Sequence, residues 1–99
     1  MTAFVQLTEV HLHFGESHDL KQKRKELKSL KEQLRNRFGV AVAEIDGHDT
    51  WQRTTLLCAL VGDREITDMS AAMERFIESR VPDGCSFERD LRSLEDIRD

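Results

Sequence analysis

The stretch Leu20–Arg53, LKQKRKELKSLKEQLRNRFGVAVAEIDGHDTWQR, decides the fold. Leu20, Leu27, Leu30, Leu34 and Phe38 are spaced by sevens, threes and fours, which places them on one stripe of a 3.6-residue helix. Asp19 can accept an orphan helix N–H, and Gln22 three residues later completes a capping-box pattern, so the helix starts at Leu20. Gly39 is the stop signal at its other end. At 1.5 Å per residue the helix is about 28 Å long. Val40 to Ile45, with its small and branched residues, reads as a strand, and Asp46-Gly47-His48-Asp49 is turn chemistry before the next strand.

Outward from this stretch the periodicity changes twice more. Toward the N-terminus, Phe4 to Phe14 alternates as a strand, with Val5 and Leu7 in one phase and Val10, Leu12 and Phe14 in the other. One extra residue flips every later side chain, so this change of phase predicts a β-bulge near Thr8 and Glu9. Toward the C-terminus, Trp51 to Val61 contains an apolar run on both faces and reads as a central strand. Asp63 is positioned to cap a second helix with the stripe Ile66, Met69, Met73, Phe76 and Ile77. Pro82-Asp83-Gly84 ends it, and Cys85 and Phe87 open a last strand. Leu91, Leu94 and Ile97 extend that strand or add a helical turn.

The order strand, helix, strand, strand, helix, strand is the split βαβ pattern. Right-handed crossovers then put strands one and three in the centre and strands two and four at the edges. The expected fold is α+β and ferredoxin-like, βαββαβ, a four-stranded antiparallel sheet with two helices on one face. With 99 residues, 38% of them hydrophobic, the chain holds one such core, so residues 1–99 are expected to form a single domain. The other face stays open, and the apolar residues of strand three that it exposes predict a homodimer.

Composition narrows the function. No apolar run approaches a membrane span, the N-terminus alternates where a signal peptide would be continuously apolar, and two cysteines without C-x-x-C spacing suit a reducing compartment. A cytoplasmic protein is expected. The formal charge of −4 is uneven: residues 21–37 carry +6, leaving −10 for the remainder. Any contact with a polyanion must therefore be local.

That contact is expected along the first helix. Lys21, Arg24, Lys28, Lys31 and Arg35, spaced 3, 4, 3, 4, form a flank about 21 Å long beside the apolar stripe, suited to tracking phosphates. Lys23 projects into the apolar stripe itself, so its ammonium needs a partner such as Asp46 or Asp49, or joins Lys21 and Arg53 in a small anion pocket at the helix N-terminus. Trp51 can stack on a base or anchor its hairpin.

The topology gathers His11, His13, His18, Asp46, His48 and Asp49 toward one end of the sheet. His13, Asp46, His48 and Asp49 are the candidates for a ligand or ion-pair site. His11 and His13 share a strand face, as joint ligation requires, but no third ligand stands at a diagnostic spacing, so no metal is assigned. Gly15 to Asp19 is no phosphate-binding loop, and no cofactor is expected. Cys58 lies mid-strand and Cys85 has no neighbouring histidine in sequence, so no catalytic residue is assigned and an enzyme is disfavoured.

The sequence resembles the YlxP-like family of small bacterial proteins over nearly its whole length. The resemblance rests on "HLHF" at His11–Phe14, on the Leu20–Arg53 stretch and on the apolar strand after it, and it is one of pattern in the C-terminal third. Asp19 stands where many members have serine and Gly39 where many have asparagine. The resemblance marks Lys21, Lys23, Arg24, Asp46, Asp49, Trp51, Gln52 and Arg53 as matching the recurrent motif and supplies no catalytic residue. It implies a ferredoxin-like fold and, through genes that often lie near those for ribosome maturation and translation factors, an RNA or ribosome connection. The expected function is a non-enzymatic RNA- or ribosome-associated module. The alternative is a homo-oligomeric small-ligand or metal-binding protein with its site at the His/Asp-rich end.

Overall fold

The structure, a computed structural model, describes residues 2–14, 19–48, 52–81 and 84–99. Four strands and two long helices follow one another as β1 (Phe4–His13), α1 (Leu20–Phe38), β2 (Ala41–Asp46), β3 (Arg53–Gly62), α2 (Ile66–Arg80) and β4 (Cys85–Ser93), with a short α3 (Leu94–Arg98) at the end. The sheet order is β2-β3-β1-β4 and every pairing is antiparallel. This is the expected α+β, ferredoxin-like arrangement. Among the described residues no helix is long and apolar enough to cross a membrane.

Local chemistry sets the ends of α1. Asp19 accepts the Gln22 N–H at 2.6 Å, while the Gln22 side chain turns to Glu26 at 3.4 Å rather than back to the cap. Gly39 adopts φ 64°, a left-handed conformation that only glycine takes without strain, and its N–H closes on the Arg35 carbonyl at 3.0 Å. Asp63 caps the turn that leads into α2 and not the helix itself. It accepts the Glu65 N–H at 2.9 Å, and α2 itself has no side-chain cap.

The core lies between the helices and the even-numbered residues of β1 and β3. Val10, Leu12, Leu56, Cys58 and Leu60 pack there against Leu27, Leu30 and Leu34 of α1 and Ile66, Met73 and Ile77 of α2. Leu34 is wholly buried, so truncating it to alanine costs roughly 2 to 5 kcal/mol. Ser70 and Glu74 occupy the buried side of α2, and Met69 stays exposed.

The bulge expected near Thr8 and Glu9 does not occur. β1 pairs without interruption with β3 from Phe4↔Gly62 to His13↔Arg53 and with β4 from Phe4↔Ser93 to Leu12↔Cys85. One phase therefore runs the length of β1. Gln6 and Thr8 are the buried residues, and Val5 and Leu7 lie on the open face. A sheet with a partly apolar outer face produces the same change in hydrophobic phase as a bulge. The irregularity is instead in β2, where Glu44 pairs with Leu56 and Asp46 with Thr55, leaving Ile45 as the extra residue.

An arginine–glutamate pair fastens each long helix to the edge strand beside it. Arg24 of α1 binds Glu44 of β2 at 2.6 Å. Arg89 of β4 grips both carboxylate oxygens of Glu74 on α2. The two-pronged Arg89–Glu74 contact fixes orientation as well as adding attraction.

Candidate functional site

The histidine- and aspartate-rich end divides into two regions on opposite sides of the sheet. Beneath α1 lies a network around Glu44, whose side chain is 5% exposed. Glu44 accepts hydrogen bonds from Thr54 and Arg24, and His48 Nε2 stands 3.6 Å from it. Burial pushes the Glu44 carboxyl upward, but the hydrogen bonds from Thr54 and Arg24 and the charges of Arg24 and His48 outweigh it. The net result is a carboxyl held below its ordinary value.

Lys23 belongs to this network and has no exposed surface. Its Nζ donates to the main-chain carbonyls of Gly47 and Arg53, the latter at 2.8 Å, and lies 4.0 Å from Glu44. Main-chain oxygens thus take the role expected of aspartates. Asp46 turns instead to the Gly47 N–H at 2.8 Å. Lys23 is consequently withdrawn from the anion-contacting set, since a buried ammonium cannot reach a phosphate.

The basic flank is only partly free. Arg24 is committed to Glu44 and to the His48 carbonyl, and Arg35 donates to the Val42 carbonyl at 3.1 Å on the edge of β2. Lys21 and Lys28 are exposed, and Lys31 is half-buried. Arg53 is exposed at the start of β3, and the Gln52 carbonyl accepts the Phe14 N–H at 2.6 Å. His18, Asp49 and Trp51 lie outside the described residues.

The second region is on the open face. Alternation along β1 puts Glu9, His11 and His13 there, and the register places Glu88 of β4 directly opposite Glu9. One ligand atom each from Glu9, His11 and Glu88 lies within 4.8 Å of the others. His11 Nε2 is 4.0 Å from a Glu88 oxygen, while its Nδ1 is 3.2 Å from Thr55 Oγ1. In the tautomer that donates Nδ1–H to Thr55, Nε2 turns its lone pair toward the carboxylates, the outer-shell arrangement typical of a ligating histidine. His13 stands beside this cluster in a shallow depression of about 370 Å³ that Arg53, Thr55 and Ser86 also line.

Like charges directly opposite across a strand pair destabilise it. Glu9 responds accordingly. Hydrogen bonding to Glu88, burial and the charge of Glu88 raise its carboxyl above the ordinary value, and His11 opposes them. The pair holds a proton more tightly than a lone carboxylate, and a cation would relieve the same repulsion. The H-x-H pair was visible in the sequence and Glu9 extends its alternation by one step, but Glu88 enters only through pairing across 79 positions of chain.

A split βαβ sheet, covered by helices on one face and open on the other, places this protein among α+β proteins of ferredoxin-like architecture. The chain belongs to the family described as "Protein of unknown function (DUF503)", which matches residues 5–84. Over 47 residues it is 40% identical to "Uncharacterized protein YlxP" of Bacillus subtilis (strain 168), a match covering 48% of this chain and 51% of that one. The match thus spans about half the length of that relative. A solved structure, "De novo designed protein Foldit4", superimposes over 93% of this chain and 96% of its own, with a TM-score of 0.48 and 13% identity.

Proposed function

We propose that this protein binds a divalent first-row transition ion on the open face of its sheet, through Glu9, His11 and Glu88. The observation that carries the reading is the cross-strand Glu9–Glu88 pair with the His11 imidazole at its side. Two carboxylate oxygens and one imidazole nitrogen form a donor set suited to zinc or manganese. Three protein donors would leave such an ion able to take water or a small anionic ligand as well. Isothermal titration of chelator-treated protein with Zn²⁺ and with Mn²⁺ tests this. One equivalent should bind, and Glu88→Gln and His11→Ala should each weaken binding by about tenfold or more. Unchanged affinity in both variants would refute the assignment.

A second reading, an RNA- or ribosome-associated module, is favoured by one feature: Lys21 and Lys28 stand exposed on α1, outside the contacts that fasten the helix to β2. Self-association belongs with either reading. Its surface is the apolar end of the open face, around Val5, Leu7, Leu57, Ala59 and Val61.

A further inference from the structure

α1 and α2 meet where the Phe38 ring packs edge-on against Phe76, with centroids 5.8 Å apart. Beside that contact a groove of about 540 Å³ opens between the helices, on the side of the sheet away from Glu9 and His11. Phe14, Leu30 and Val81 supply apolar lining, and Lys25, Gln33 and Arg80 supply polar groups. The volume is typical of a small-molecule site.

Two independent features of this groove point to the same chemistry. The Gln33 Nε2 donates to Ser29 Oγ at 3.2 Å, which leaves Gln33 Oε1 as the other arm of the amide, buried and without a hydrogen-bond partner. A buried acceptor without a donor carries a cost that a ligand N–H or O–H would remove. The cations are also unneutralised. Neither Lys25 nor Arg80 forms an ion pair among the described residues. The Arg80 guanidinium lies over the Phe76 ring, 5.0 Å from its centroid, and Arg37 stacks on the same ring at 4.6 Å. A guanidinium resting on an aromatic face by cation–π attraction still has N–H groups to offer a carboxylate. Glu26, the carboxylate in the lining, accepts from Gln22 at 3.4 Å, so two cations in the lining face one carboxylate.

We propose that the α1–α2 groove is a binding site for a small organic carboxylate with an apolar body and one N–H or O–H donor. The carboxylate meets Arg80 and Lys25, the body covers Phe14 and Leu30, and a turn of the Gln33 side chain, which is only half-buried as a residue, brings Oε1 to the donor. The probe is indole-3-acetate, compared with its N-methyl derivative, which lacks the donor, and with indole-3-acetamide, which lacks the charge. Amide chemical shifts of the full chain, followed by NMR in the presence of a chelator, report both site and affinity. Indole-3-acetate should shift the amides of Leu30, Gln33 and Arg80 and bind about tenfold more tightly than either analogue. Arg80→Gln and Lys25→Gln, both at exposed positions, should each lower its affinity, and Gln33→Leu should abolish the preference over the N-methyl compound. Equal binding of all three compounds, or shifts confined to the open face, would overturn the proposal.

Discussion

The ammonium of Lys23, in the first turn of α1, donates to the main-chain carbonyl of Arg53, at the start of β3, across 2.8 Å. With its second bond to the Gly47 carbonyl, it ties the start of the helix to both sides of the β2–β3 turn. Gly47 can serve there because its φ of 85° and its closeness to the Arg53 carbonyl exclude a side chain: a Cβ would lie 2.6 Å from that oxygen.

Lys23→Met should therefore destabilise the fold far more than an ordinary lysine substitution. It fits the apolar site but leaves two carbonyls without their donor, at roughly 2 to 4 kcal/mol in all. Lys28→Met, at an exposed position of the same helix, should change stability by no more than about 0.5 kcal/mol. Urea unfolding compares the two, and equal midpoints would contradict the latch.

Two carboxylates should shape stability on opposite sides of pH 4.5, their ordinary value. Glu44 is held below it, so its contribution is complete above pH 4.5 and is lost as pH falls through the lower folded value. Glu9 is raised, so the folded state binds its proton more tightly, and stability declines as pH rises from 4.5 through the folded value. Glu44→Gln should remove the acid-side loss, and Glu88→Gln the decline above 4.5. Unfolding midpoints over a pH series in chelator check both, and profiles parallel to the unsubstituted protein would count against them.

If α1 contacts RNA, the exposed lysines carry it. Lys21→Glu combined with Lys28→Glu should weaken binding to poly(U) and lower the slope of log affinity against log salt by about 1.4, at about 0.7 per lost contact. Filter binding across a salt series measures this. An unchanged slope would mean that the flank is simply solvated.

Val61 is 78% exposed on the open face, opposite Val5 and in line with Leu57 and Ala59. A second copy seated there would cover it, so Val61→Asp should shift the protein toward monomer with little effect on unfolding. Sedimentation at high micromolar concentration decides this, and a strict monomer before substitution would defeat the expectation.

The limits of α1 and the strand order were legible in the sequence because caps, periodicity and crossover handedness act over a few residues or follow from element order. The position of Lys23 in the apolar stripe was legible for the same reason. Its partners were not, because they are carbonyls, which every residue carries and no composition distinguishes. The phase of β1 was misread because alternation shows that two faces exist but not which one the helices cover. Only the tertiary structure decided that His48 joins the network beneath α1 while His11 faces Glu9 and Glu88. The pairing of Glu9 with Glu88 depends on the register of β1 against β4, and that register comes from packing the whole sheet under two helices.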